Sequence, residues 1–172
     1  MNAVFYVASV VAVIATLMVI TRLNAVHALL YLIVSLLSVA LIFFTLGAPF
    51  AAALEVIIYA GAIMVLFVFV IMMLNLGPQS TDQERAWLSP GIWRGPAALA
   101  LILALELVYV LASGTTNPAT PAAIPPRQVG ITLFGPYLLG VELASMLLLA
   151  GLVGAYHLGH RDRAAAEKGN AS

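Results

Sequence analysis

Residues 2–20 form an apolar run without one charged side chain. Wound as an α-helix at about 1.5 Å per residue, the run reaches about 28 Å, close to the roughly 30 Å hydrocarbon core of a bilayer. A secretory signal of this length would follow a basic segment. Nothing before Arg22 is charged except the amino terminus, so the run reads as a membrane-spanning helix that stays with the protein. Four more apolar stretches follow, and the predicted helices cover 2–21, 26–46, 50–76, 96–113 and 135–158. Composition agrees: 63% of the 172 residues are hydrophobic and 8% charged, where a soluble domain has about 45–50% apolar and about 25% charged residues. A water-soluble fold is excluded. The expectation is an all-α, polytopic membrane protein with five transmembrane helices, residues 1–172 forming a single membrane domain.

The breaks between spans carry their own signals. Thr21-Arg22-Leu23-Asn24 separates the first two spans. Gly47-Ala48-Pro49 is too short for anything but a hairpin connection, which makes the second and third helices antiparallel neighbours. Gly77-Pro78 ends the third helix, and Gly95-Pro96 is a start signal for the fourth, since proline is tolerated in a helix's first turn. Pro118, Pro121, Pro125 and Pro126 make 114–134 an extended surface loop. The tail 159–172 is polar and expected to fray. With five crossings, Arg22, Arg85, Arg94, Arg161, Arg163 and Lys168 fall on one side and Arg127 alone on the other. The positive-inside rule then puts loop 77–95 and the C-terminal tail in the cytoplasm, and the N-terminus and loop 114–134 outside.

Several chemistries are closed to such a chain. There is no basic face to hold a nucleic-acid backbone, and the absence of cysteine removes disulfides, iron–sulfur clusters, thiolate zinc sites and covalently attached haem. His27 and His157 sit at the ends of their spans and His160 in the tail, an arrangement suited to solvated imidazoles rather than to haem or metal ligation. Three carboxylates remain inside predicted spans: Glu55, Glu106 and Glu142. An acid near a helix centre costs about 2.5–3.5 kcal/mol on insertion scales, and such residues mark proton or ion routes or pair with a neighbouring helix. Both readings stand for each. Tyr59 lies four residues from Glu55 and Tyr109 three from Glu106, placing a phenol near each acid's face. Gly61, in mid-span, suits either close helix packing or a π-bulge, where backbone hydrogen bonding shifts register.

Two long segments resemble a known family. Leu54-Glu55-Val56-Ile57-Ile58-Tyr59-Ala60-Gly61-Ala62-Ile63-Met64-Val65-Leu66-Phe67-Val68-Phe69-Val70 is one; the other is Gly130-Ile131-Thr132-Leu133-Phe134-Gly135-Pro136-Tyr137 with Val141-Glu142-Leu143-Ala144-Ser145-Met146-Leu147-Leu148. They are similar to the J-subunit family of proton-pumping NADH:quinone oxidoreductase, respiratory complex I, whose mitochondrial counterpart is the sixth mitochondrially encoded subunit. The likeness runs over about residues 5–157. It implies five helices with an external N-terminus in the bacterial cytoplasmic membrane. It also implies a subunit without a cofactor of its own, packed beside the quinone-site and antiporter-like subunits, with FMN, iron–sulfur clusters and quinone held elsewhere in the enzyme. The family's third helix carries a π-bulge that converts to a regular α-helix, and residues 59–67, including Tyr59, Gly61, Met64, Val65 and Phe67, match that element. Glu55 matches a family acid and Glu142 lies in the second matched motif. Glu106 departs from the pattern, which has an aliphatic residue there. The rival expectations are a subunit of a multisubunit cation/proton antiporter and a purely structural membrane scaffold.

Overall fold

The computed structural model of the chain describes residues 3–22, 25–74, 90–112 and 123–170. Of the expected loops, 77–89 and 114–122 lie outside the described residues. The described chain is helical: α1 (Ala3–Thr21), α2 (Ala25–Thr45), α3 (Pro49–Leu54), a π-helical segment (Glu55–Ile63), α4 (Met64–Leu74), α5 (Pro90–Ala112), α6 (Pro126–Leu133) and α7 (Leu138–Asn170). Five stretches are long and apolar enough to cross a bilayer: Ala3–Thr21, Ala25–Thr45, Pro49–Met73, Trp93–Ala112 and Leu138–Gly159. The protein is an all-α polytopic membrane protein with five transmembrane helices. The contacts within the chain gather into two compact units, Met1–Pro125 and Pro126–Ser172.

In the first unit the small residues of α1 set the packing. Ala8, Val11 and Ala15 recur at spacings of three and four, so they share a face, and both alanines are 0% exposed. They meet Val34 and Leu41 of α2 and Leu103 of α5 in one core cluster. Lipid tails are as apolar as leucine, so helices in a bilayer associate through close packing and interhelical hydrogen bonds rather than through escape from water. Both devices are present: the alanines of α1 pack closely in the core, and Thr16 and Ser35 share a hydrogen bond of 2.8 Å between α1 and α2; the buried Ser38 hydroxyl is satisfied within α2, donating to the Val34 carbonyl at 2.8 Å.

The turn into the third span is closed by the backbone. Gly47 has φ 81°, and its N–H donates to the Phe44 carbonyl at 3.1 Å while the Ala48 N–H reaches the Phe43 carbonyl at 3.0 Å. This pair of bonds is a Schellman motif, which needs a left-handed residue at its centre and so favours glycine. Pro49 then opens α3 at a position where its missing N–H costs nothing.

The fourth span starts earlier than expected. α5 begins at Pro90, and Pro96 lies inside the helix. Pro90-Gly91 supplies the same start signal one and a half turns upstream, and transmembrane helices tolerate an internal proline because neighbouring groups satisfy the freed carbonyl. At Gly95, α5 comes so close to α2 that a Cβ there would overlap the Tyr31 hydroxyl. The Arg22 guanidinium lies over the other side of this contact, 5.7 Å from the Tyr31 ring centroid.

In the second unit, residues 126–133 form α6 where an extended loop was expected. A turn at 134–137 follows, with the Tyr137 N–H donating to the Thr132 carbonyl at 3.2 Å. Pro136 has no N–H with which to carry α6 onward, and α7 begins at Leu138 instead of 135. α7 also runs to Asn170, past the expected end at 158 and through the tail expected to fray. Arg161, Arg163, Ala164, Ala165, Ala166, Glu167 and Lys168 are strong helix formers, which accounts for the extension.

Candidate coupling site in the third span

The third span changes helical register along its length. In α3 the regular pattern persists up to Glu55, whose N–H donates to the Ala51 carbonyl four residues back. From Glu55 to Ile63 the helix is π-helical, and at its end the Met64 N–H reaches the Tyr59 carbonyl five residues back. The register change thus begins one turn before the 59–67 expected from the resemblance. Of the residues expected in that element, Tyr59 and Gly61 lie in the π segment, while Met64, Val65 and Phe67 belong to the regular helix α4.

Gly61 occupies a place where the wide register leaves little room. A Cβ on it would stand 3.1 Å from the Val56 carbonyl oxygen, five residues back. None of the nine residues of the segment is buried within the chain: Glu55, Ala60, Gly61 and Ile63 are half-buried and the others exposed, Tyr59 at 49%. Met64, immediately after it, is 4% exposed.

The acids are not brought together with the phenols. No hydrogen bond joins Glu55 to Tyr59 among the described residues. Glu106 is partly buried while Tyr109 is 64% exposed, so these two look to different surroundings. The Glu106 Oε2 is buried without a hydrogen-bond partner. Glu142, in the second unit, is exposed on α7. Of the histidines, His27 is partly buried in the first turn of α2 and His157 is exposed.

Beside the π segment lies a cavity of about 460 Å³ that sequence reading did not anticipate. Its floor is Leu37, Ala40, Leu41 and Phe44 of α2, and its walls are Pro49, Ala52, Ala53 and Val56 of the third span and Ala100, Leu103, Ala104 and Leu107 of α5. Each helix contributes four residues spaced as one stripe, and the alanines make the space. That recurrence of alanine at helical spacing was the available signal, although it also fits tight packing.

Apolar spans that carry ionisable residues within the bilayer, one of them with a built-in change of register, define a polytopic membrane protein whose polar chemistry is intramembrane. The family profile for NADH-ubiquinone/plastoquinone oxidoreductase chain 6 matches residues 15–158. The NADH-quinone oxidoreductase subunit J of Pseudomonas aeruginosa is 64% identical over 163 residues, covering 94% of this chain and 98% of that protein. The subunit J of Escherichia coli K12 is 57% identical over 164 residues, 95% of this chain and 89% of that one. That of Buchnera aphidicola from Schizaphis graminum is 56% identical over 159 residues, 92% and 98% of the two chains. The chain belongs to the NADH-ubiquinone/plastoquinone oxidoreductase chain 6 family.

Proposed function

We propose that this chain is the J-type membrane subunit of a proton-pumping NADH:quinone oxidoreductase, and that its third span couples quinone reduction to proton movement. Relatives bearing the subunit J name align along nearly its whole length, which supports the first part. The observation that carries the second is the π-helical segment Glu55–Ile63 with Gly61 inside it. A π turn leaves a carbonyl without its usual donor, and in hydrocarbon that group must meet protein or a wet cavity. Two registers of similar energy make such a helix bistable, so that a small change at a distant quinone site opens or closes a proton path beside Glu55. Glu142, on α7 of the second unit, is a further candidate for proton transfer. The chain works without a redox cofactor of its own, beside subunits that hold flavin, iron–sulfur clusters and quinone. It lies in the bacterial cytoplasmic membrane with the N-terminus outside and the C-terminus inside, following the six-to-one cation bias.

The test is purification of the tagged chain from its own membrane. A complex that oxidises NADH, reduces quinone and contains flavin and iron–sulfur signals is the expected outcome. A chain that elutes without these partners and moves cations alone after reconstitution would overturn the proposal in favour of an antiporter subunit.

A further inference from the structure

The core of the first unit encloses one carboxyl that the coupling function proposed above does not use. α1 and α2 contain no acidic residue, and α5 contains one, Glu106. On α5, Leu99, Leu103 and Glu106 follow one another at spacings of four and three and so share a face. Leu103 belongs to the core with Ala8, Val11, Ala15, Val34 and Leu41, and Leu99 packs against the same cluster. Glu106 is partly buried on that face, with its Oε2 closed to solvent and unpartnered. The hydroxyls of this core are already committed, Thr16 with Ser35 and Ser38 to the Val34 carbonyl. The titratable groups on the facing helices are Tyr6, His27 and Tyr31. Tyr31 meets α5 at Gly95, eleven residues from Glu106, or about 16 Å along the helix. His27 lies a further turn away along α2, and Tyr6 is 56% exposed. The carboxyl leaves one polar atom orphaned beside an apolar core, and acids within membrane spans mark proton or ion routes.

We infer that Glu106 is a proton-exchanging site of this chain, additional to Glu55. It takes up a proton at the unpartnered oxygen and gives it back when the junction of α1, α2 and α5 loosens. In that step the O–H bond breaks, its electron pair stays on the carboxylate, and the proton passes to the water that reaches it. The inference rests on the coupling function proposed above, and its test separates the two.

The unmodified complex is treated with an apolar carbodiimide, which reacts with a carboxyl that brings its own proton. The carboxyl oxygen bonds to the diimide carbon, the proton moves to the diimide nitrogen, and the isourea rearranges to a stable N-acylurea visible by peptide mass spectrometry. An adduct on Glu106 that forms faster during NADH oxidation than at rest is expected. In parallel, the Glu106→Gln complex should yield fewer protons per NADH than the parent, with a smaller loss than Glu55→Gln and with artificial-acceptor oxidation unchanged. No adduct in either state, or a Glu106→Gln complex with the parental proton yield, overturns the inference. If Glu106→Gln does not assemble, the carbodiimide result on the unmodified complex decides. The coupling role of the third span fails separately, if an assembled Glu55→Gln complex pumps normally.

Discussion

Substitution of Gly61 weighs directly on the register of the third span. An added Cβ would stand 3.1 Å from the Val56 carbonyl oxygen, a few tenths of an ångström inside ordinary contact. The widened register brings that carbonyl beneath position 61; in a regular α turn it is too far along the chain to touch. The clash therefore penalises one register and spares the other. Relieving it through bond-angle or peptide distortion costs about 1 kcal/mol, so Gly61→Ala should shift the balance toward the α form about fivefold. Gly61→Val adds two methyl groups on a branch with restricted χ1, and overpacking of that kind raises the cost to about 2 kcal/mol, a shift of about 30-fold. The assay compares assembly on native gels, NADH oxidation with an artificial acceptor, and quinone-coupled turnover in membranes. Both variants should assemble and keep artificial-acceptor activity while losing quinone-coupled turnover, the valine more than the alanine. If Gly61 is small only to admit a neighbouring helix, the valine complex fails to assemble. A Gly61→Val enzyme with normal coupling, or an unbroken α-helix through Gly61 in every captured state, refutes the reasoning.

Glu55→Gln should lower proton pumping and quinone reductase activity in an assembled complex while sparing artificial-acceptor oxidation, and Glu142→Gln should do the same more weakly; equal pumping in parent and variants marks both acids as structural. Gly95→Ala should weaken the contact of α5 with α2 by about 1–3 kcal/mol, the usual cost of overpacking, lowering the thermal stability of the complex. Tyr31→Phe should restore it, because the overlapping atom is the Tyr31 hydroxyl; a double variant no more stable than Gly95→Ala alone disproves that contact. Single cysteines at Thr116 and Ser172, in a chain with none of its own, report orientation: an impermeant thiol reagent on intact spheroplasts should label the first and spare the second, and the reverse pattern inverts the topology.

The number of spans and their approximate limits were legible because hydrocarbon thickness converts directly into a count of apolar residues. Helix ends were less so, since hydropathy says where a helix can lie in lipid and nothing about where it stops in water. α6 was passed over because Arg127 and Gln128 break the apolar pattern, and α7 outran its apolar stretch because alanine, arginine, glutamate and lysine are good helix formers whether or not lipid surrounds them. Pro96 misled because the same residue marks a first turn in one context and a tolerated interior position in another. At the candidate site, Glu55 and Gly61 stood out by chemistry, one as a charge in lipid and the other as the centre of the small-residue patch Ala60-Gly61-Ala62 in mid-span. The onset of the π register did not, because hydrogen-bond register leaves no periodic mark in a span that is apolar on every side. The cavity beside it left only an ambiguous mark, alanines at helical spacing in three separate helices, a pattern that fits tight packing equally well.

Met64 is the first residue after the π segment and is 4% exposed, whereas its neighbour Val65 is 52% exposed. Loss of the extra residue accommodated in one wide turn would rotate everything downstream by about 100°, the angle between successive residues of an α-helix. Ile63 would then take the seat that Met64 holds, and Met64 would move to where Val65 now stands. The segment therefore acts as a phase shifter for α4, converting a change of one residue in hydrogen bonding into an exchange of an unbranched thioether for a stiff, β-branched side chain, with the span longer by only about 1.5 Å and still folded.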